Sequence, residues 1–237
     1  MAFLQDILKK EKKMHYKKAV TFSYDDGVEQ DRKLIEIFNY YKMKCTFNLN
    51  TGIQSEDSNF EIDGVQIHRM NQEGLGELYK GHEIAVHGLT HAAPTGLSEK
   101  ELKKEFLMDA QNIERLYGKY PVGMAYAYGS VDDAAANYLA SIGIRYGRTV
   151  EAAHGFELQK DLLHFKSTCH HEDEKLFELA EEFLDIKATE DSPKLFYIWG
   201  HSYEFEVNRN WERIEKLCDM LCGKDDIFYG TNAECLL

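Results

Sequence analysis

Short apolar runs recur along the chain, separated by longer stretches in which apolar residues return every three or four positions. The runs are Ala19–Tyr24, Cys45–Asn48, Glu83–His87, Val122–Tyr126, Ile144–Thr149, Leu163–Thr168, Leu195–Trp199 and Ile227–Gly230. They are rich in Val, Ile, Phe and Tyr and bounded by turn residues, a composition that predicts strands. Between many of them lie stretches that predict helices: Asp31–Tyr41, Ser98–Tyr117, Asp132–Ile142, Glu172–Ile186 and Asn208–Cys222. In the first, Leu34, Ile35, Phe38 and Tyr41 share one helical face. Ser98 followed by Glu101 is a capping-box start for the second. Strands alternating with helices predict parallel βαβ units, and seven or eight mostly parallel strands are enough for a distorted (β/α) barrel, an α/β fold. In such folds the chemistry sits at the C-terminal ends of the strands.

Nothing divides the chain. It has 237 residues and only three prolines, no Gly/Ser/Pro-rich linker and no long-period repeat. The expectation is a single domain over residues 18–237, preceded by an N-terminal extension over 1–17. The 28 basic and 41 acidic residues leave a net charge of −13, which disfavours phosphate backbones and anionic lipid, so neither nucleic acid nor membrane is expected as a partner. Five cysteines (Cys45, Cys169, Cys218, Cys222 and Cys235) form no tight framework and read as reduced thiols. Cys218 and Cys222, one helical turn apart, read as core-facing. No apolar stretch approaches a membrane span, and the first residues lack the apolar core of a secretory signal. A cytoplasmic location is expected, or a secreted one if a leader has been removed; oligomeric state is left open.

Candidate chemistry collects where the runs end. The first ends in Ser23-Tyr24-Asp25-Asp26-Gly27. Adjacent side chains on a strand point to opposite faces, but a turn at Gly27 can bring both carboxylates to one mouth; the alternative is an ordinary Asp-Gly surface turn. The third ends in His87-Gly88-Leu89-Thr90-His91, a His-x-x-x-His spacing that would put two imidazoles on one helical face and suits divalent metals. The seventh ends at His201. His82, at the other end of its strand, reads as structural. Two imidazoles and one carboxylate make a facial metal set with open positions. A metal there acidifies water and polarises a carbonyl. A second carboxylate can take the water's proton and a histidine across the site can protonate the leaving group, parts that suit hydrolysis of an amide or ester.

At these residues the chain resembles the polysaccharide deacetylases of carbohydrate esterase family 4, the NodB-homology domain, from about Lys18 to Asn232. Ser23–Gly27 resembles the family's Thr-Phe-Asp-Asp-Gly, and His87–His91 its His-x-x-x-His. Ala125-Tyr126-Ala127-Tyr128-Gly129 resembles Arg-x-Pro-x-Gly, and Ile198–His201 the final Leu-x-x-His-like motif. The resemblance implies a metal-dependent hydrolase that removes acetyl groups from N- or O-acetylated sugars. It implies Asp25 as general base and His201 as general acid. Asp26, His87 and His91 would hold one divalent ion, zinc or else cobalt, nickel or manganese. The Tyr128 backbone N–H would help hold the oxyanion.

Two positions depart from the family. Ala125 stands where the arginine that positions the base is usual; Arg148, at the end of the fifth run, can supply that guanidinium. The aspartate that tunes the acid histidine has no match; Thr168-Cys169-His170-His171-Glu172 stands in its region, lining the cleft or capping a helix. Among the aromatics near strand ends, Tyr126, Trp199 and Tyr203 are the candidates for stacking on a sugar, with core packing as the alternative for many others. Other readings are a related hydrolase of small non-sugar amides, as in allantoinase-like relatives, a non-catalytic metal-containing carbohydrate-binding barrel, and a glycoside hydrolase. The last needs two carboxylates about 5–9.5 Å apart across a cleft, which adjacent Asp25 and Asp26 do not suggest.

Overall fold

The computed structural model describes residues 16–55 and 57–237. The expected N-terminal extension falls almost wholly on residues outside these. The elements in chain order are β1 (Lys18–Asp25), α1 (Asp31–Tyr40), β2 (Cys45–Leu49), β3 (Asn59–Ile62), β4 (Val65–His68), α2 (Leu75–Leu78) and β5 (Glu83–Val86). Then come α3 (Glu99–Leu102), running through a wide π turn at Lys103–Leu107 into α4 (Met108–Tyr117), β6 (Gly123–Ala125), α5 (Asp133–Ser141), β7 (Tyr146–Ala152), β8 (Phe165–Ser167) and β9 (Cys169–His170). The chain finishes with α6 (Leu176–Asp185), β10 (Lys194–Gly200), α7 (Glu204–Val207), α8 (Glu212–Leu221), β11 (Ile227–Tyr229) and α9 (Asn232–Leu236).

The main sheet runs β8-β7-β6-β5-β2-β1-β10-β9, and every pairing in it is parallel. Its two end strands are consecutive pieces of one segment. β8 pairs with β7, β9 pairs with β10, and between them Thr168 N–H donates to the Tyr197 carbonyl at 2.8 Å. The sheet therefore closes on itself as a barrel. The distortion sits at β1, whose first half pairs with β11 (Lys18↔Ile227) and whose second half pairs with β2 (Phe22↔Cys45). All eight runs read from the sequence contain a strand of the sheet, and a single α/β barrel results.

Period-two alternation sets the layers. On β1, Val20, Phe22 and Tyr24 face the outer helices and join Leu34, Ile35 and Phe38 of α1 in the main core. On β10, Phe196 and Ile198 face the same way, against Leu179, Ala180 and Phe183 of α6. The alternate residues Tyr197 and Trp199 belong to a separate inner cluster with Tyr146, Phe165 and Leu236. α9 plugs the N-terminal end of the barrel: Thr21 Oγ1 donates to Asn232 Oδ1 at 2.8 Å, and Asn232 Nδ2 to the Tyr197 hydroxyl at 2.7 Å. The C-terminal end stays open. Because all strands of the main sheet run the same way, the ends of β1, β5, β9 and β10 meet there.

The antiparallel hairpin β3–β4 is an addition that the reading of the runs did not contain. Its turn is Asp63-Gly64, both at positive φ (49° and 79°), the two-residue geometry that matches strand twist. The expected helix over Glu172–Ile186 starts only at Leu176, because Cys169–His170 is a strand and the chain turns before it can coil.

Candidate active site

Asp25 ends β1 on the barrel-interior side, fully buried. The next residue must turn back for its carboxylate to share that mouth, and Asp26 does so by adopting φ +82°. Gly27 follows at φ +63°, which favours glycine, and an added Cβ would have to displace the ends of the Leu49 and Gln54 side chains. Positive φ recurs at His91 (61°) and Tyr128 (58°), on the same mouth. Such conformations cost of order 1–3 kcal/mol each for non-glycine residues and cluster at functional sites.

The base-like carboxylate is held by three hydrogen bonds from two side chains. Arg148 Nη2 donates to Asp25 Oδ1 at 2.6 Å and Oδ2 at 2.5 Å, and Asn48 Nδ2 donates to Oδ1 at 2.8 Å. The guanidinium itself lies over the Trp199 ring, 4.2 Å from its centroid. Burial pushes the Asp25 carboxyl up, but Arg148, His87 and His201 together bring it down to about 2. Arg148 and Ala125 are register partners on β7 and β6, so the guanidinium reaches the site from the strand beside the family's usual arginine position.

His87 follows β5, with its backbone N–H donating to Asp109 Oδ2 at 3.3 Å. Its Nδ1 lies 2.7 Å from the Ala125 carbonyl, an acceptor, so Nδ1 carries the proton and Nε2 presents a lone pair. That Nε2 is buried without a hydrogen-bond partner. It lies 4.0 Å from Asp26 Oδ1, which is 3.7 Å from His91 Nε2. Bonds of about 2.0–2.2 Å to a first-row divalent ion put neighbouring donors roughly 3–3.5 Å apart, so a small contraction around an ion completes the set. An orphaned imidazole lone pair, aimed at a second imidazole and a carboxylate, fits such an ion. Among the described residues Asp26, His87 and His91 form one of two groups able to hold a metal.

The His-x-x-x-His pair does not lie on a helix, contrary to the helical-face reading. Gly88 (φ +89°) and His91 (φ +61°) bend the segment into a turn that stacks the two rings edge to face, centroids 4.8 Å apart. Glu105, on the π turn after α3, accepts from Thr90 N–H at 2.9 Å and from its hydroxyl at 2.8 Å, which fixes that turn. The spacing works through a loop rather than through helical periodicity.

His201 follows β10, its Nε2 4.0 Å from Asp25 Oδ2. Burial lowers its basicity, but Glu204 and the two site aspartates outweigh this and bring it up to about 9. These groups open into a cavity of about 260 Å³ lined by Asp25, Asp26, His87, His91, Tyr126, Tyr128, Val150, Trp199, His201 and Tyr203. Tyr126 is buried, its hydroxyl donating to the Leu163 carbonyl at 2.7 Å, so it forms the floor. Tyr128 and Val150 are the exposed apolar residues of the rim (71% and 42%).

Besides Asn48 and Val150, two charged neighbours of the site were not among the candidates. Arg69, just after β4, donates from Nη2 to Asp26 Oδ1 at 3.1 Å and lies over Phe60, which packs edge-on against Tyr203. The alternating Phe60, Ile62, Val65 and Ile67 around Asp63-Gly64 carry the hairpin signal that places it. Glu204, three residues after His201, lies 3.3 Å from His201 Nδ1; the His-x-x-Glu spacing was its signal. His170 and His171 lie beside it and not against the metal-ligand candidates.

A family profile described as polysaccharide deacetylase matches residues 12–147, more than half of the chain. The chain belongs to the polysaccharide deacetylase family. Solved structures agree on the fold. A provisionally assigned polysaccharide deacetylase from Mycobacterium smegmatis matches with TM-score 0.64 and 18% identity, over 92% of this chain and 88% of that one. The Xyl-CE4 domain of a multidomain xylanase from the hindgut metagenome of Trinervitermes trinervoides matches with TM-score 0.61 and 14% identity, over 93% and 90%. A family 4 acetyl xylan esterase from Clostridium thermocellum, in complex with a cobalt ion, matches with TM-score 0.59 and 13% identity, over 92% and 89%. The chain spans 55% of the Streptococcus pyogenes deacetylase PplD and 40% of a Bacillus cereus polysaccharide deacetylase. Comparison with curated protein sequences finds no match.

Proposed function

We propose that this polysaccharide deacetylase family member is a divalent-metal-dependent hydrolase that removes acetyl groups from N- or O-acetylated sugars. The observation that carries the reading is the unpartnered, buried Nε2 of His87, facing Asp26 and His91 beside an Arg148-held Asp25. Asp26, His87 and His91 would hold the ion, which when bound would polarise the acyl carbonyl and acidify water. Asp25, kept ionised by Arg148, takes a proton from the attacking water. His201, across the mouth, gives a proton to the leaving nitrogen or oxygen. The water oxygen joins the carbonyl carbon, the C–N or C–O bond breaks, and acetate and the free sugar result. The Tyr128 backbone N–H is the proposed oxyanion donor, and Tyr126, Trp199 and Tyr203 the sugar-facing surface.

The test is acetate release from a panel running from N-acetylglucosamine oligomers to acetylated xylan, using zinc- or cobalt-reconstituted protein. Wild type should release acetate from at least one member, and Asp25→Asn and His87→Ala should abolish it. Binding of about one ion per chain without release from any substrate would refute the substrate class. Failure to hold any ion would refute the Asp26–His87–His91 assignment.

A further inference from the structure

A second group of metal-type donors lies on the far side of His201. The pairing of Trp199 with His170 brings the end of β9 against the segment after β10. His171 leaves the strand there, so its ring does not diverge from that of His170; the two centroids are 4.5 Å apart. Both rings converge on Glu204, whose Oε2 lies 3.2 Å from His170 Nε2 and 3.3 Å from His171 Nε2. Neighbouring donors around a first-row divalent ion, with bonds of about 2.0–2.2 Å, stand roughly 3–3.5 Å apart. These contacts already meet that spacing, whereas those of Asp26 with His87 and His91 are 4.0 and 3.7 Å. His201 separates the two sets, its Nδ1 3.3 Å from Glu204 Oε2 and its Nε2 4.0 Å from Asp25 Oδ2.

The strongest sign of a ligand is at His171. The residue is fully buried and its Nε2 makes no hydrogen bond. Two carboxylate oxygens stand close, Glu204 Oε2 at 3.3 Å and Glu172 Oε1 at 3.6 Å, yet neither accepts from it. At the other nitrogen, Nδ1 lies 3.1 Å from the Tyr24 hydroxyl. A proton on Nδ1, given to the Tyr24 oxygen, leaves Nε2 with a lone pair turned toward carboxylates. That is the form of a ligating imidazole, and a cation between the groups relieves the repulsion. His170 is less ready. Its Nδ1 accepts the Glu172 backbone N–H at 3.1 Å, so it must give up that bond and carry its proton at Nδ1 in order to ligate through Nε2. Its side chain is 24% exposed, so the proton exchanges with water, and the same opening admits an ion.

We propose that His170, His171 and Glu204 form a second divalent-cation site, separate from Asp26–His87–His91 and weaker than it. Two imidazoles and one carboxylate select zinc, cobalt or nickel over magnesium or calcium, which prefer oxygen donors. The weakness has two causes. His170 must change tautomer, and Arg213, whose Nε donates to the His171 carbonyl at 2.7 Å, adds a positive charge beside the site. The second ion therefore enters when free metal is abundant and leaves on dialysis. When bound, it ties β9, the strand that closes the barrel, to α7 at the open mouth. This site goes beyond the proposed hydrolysis and stands whether or not the Asp26 site deacetylates sugars.

The experiment titrates the metal-stripped full chain with zinc by isothermal calorimetry. Wild type should take up two ions in two steps. His87→Ala, which breaks the first set, should still bind one zinc, at the weaker affinity of the second step. Adding His170→Ala or Glu204→Gln to His87→Ala should weaken that zinc at least tenfold, since even a partner outside the ligand set is worth about 10–100-fold. Zinc at about a hundred times the second Kd should raise the Tm of His87→Ala by roughly 5–10 °C, and the double variants should lose most of that rise. One ion in wild type and none in His87→Ala would overturn the proposal. So would a second zinc that neither added substitution weakens, because it would lie elsewhere on this acidic chain. If His87→Ala does not fold, the imidazole NMR signals of wild type decide. Those of His170 and His171 should both move with the second equivalent of zinc, and a His171 signal that stays fixed would overturn the site.

Discussion

Arg148→Ala removes the charge that contributes most to lowering the Asp25 carboxyl. Arg148 and Asp25 are both buried, and the guanidinium touches both carboxylate oxygens. Asp25 sits at about 2 in the folded protein against an ordinary 3.8. At about 1.4 kcal/mol per unit, that difference stabilises the fold by roughly 2 kcal/mol. The folded value is the lower one, so this stability is complete above the unfolded value and is lost as pH falls toward 2. Without the guanidinium, burial remains and pushes the Asp25 carboxyl above its unfolded value. The variant is then penalised increasingly as pH rises. Breaking a buried pair from one side costs about 3–5 kcal/mol, and a chain of this size loses roughly 2–4 °C of Tm per kcal/mol. A fall of about 10 °C at pH 7 is expected, shrinking toward pH 4 as Asp25 takes up a proton. Thermal unfolding followed by circular dichroism at pH 4, 5.5 and 7 measures it. The same Tm drop at every pH would show that Arg148 matters for packing against Trp199 and not for charge, refuting the argument. Because Ala125 is the register partner of Arg148, Ala125→Arg in this background should restore part of the deacetylation.

His87→Ala should reduce bound zinc per chain, read by mass spectrometry after dialysis, by at least an order of magnitude while circular dichroism stays unchanged. Asp25→Asn, by contrast, should keep its zinc yet deacetylate about 10²–10⁴-fold more slowly, the range for a lost general base. Gly27→Ala should destabilise the protein by about 1–3 kcal/mol in urea unfolding, since alanine is strained at φ +63° and its Cβ meets Leu49; an unchanged midpoint would contradict that. His201 is raised to about 9 by Glu204 and the site aspartates against the effect of burial. Amide deacetylation should therefore fall about tenfold per pH unit above that value, and a flat rate to pH 11 would rule His201 out as the acid.

Sequence pattern determined much of this protein, and it did so wherever information is local. Alternation along Ala19–Tyr24 and Leu195–Trp199 assigns Phe22 and Phe196 to the helix side and Ser23 and Tyr197 to the barrel side, because neighbouring strand side chains must diverge. A count of eight runs with helices between them implies parallel order, and parallel order sends Asp25, His87 and His201 to one mouth. The Asp63-Gly64 hairpin was not read from the sequence: its turn and alternating flanks carry a signal, but its polar residues hid it among loops. Lateral relations across the sheet were not legible. That Arg148 replaces an arginine absent from Ala125 depends on β6 and β7 being paired in that register, 23 positions apart in the chain. That Glu204 meets His170 depends on β9 closing the barrel against β10. Nor does the His87–His91 spacing reveal a turn in place of a helix, since both can bring two imidazoles together. Local sequence sets which face a side chain takes; which distant side chain stands opposite is decided by strand order and register, and these come from packing the whole barrel at once.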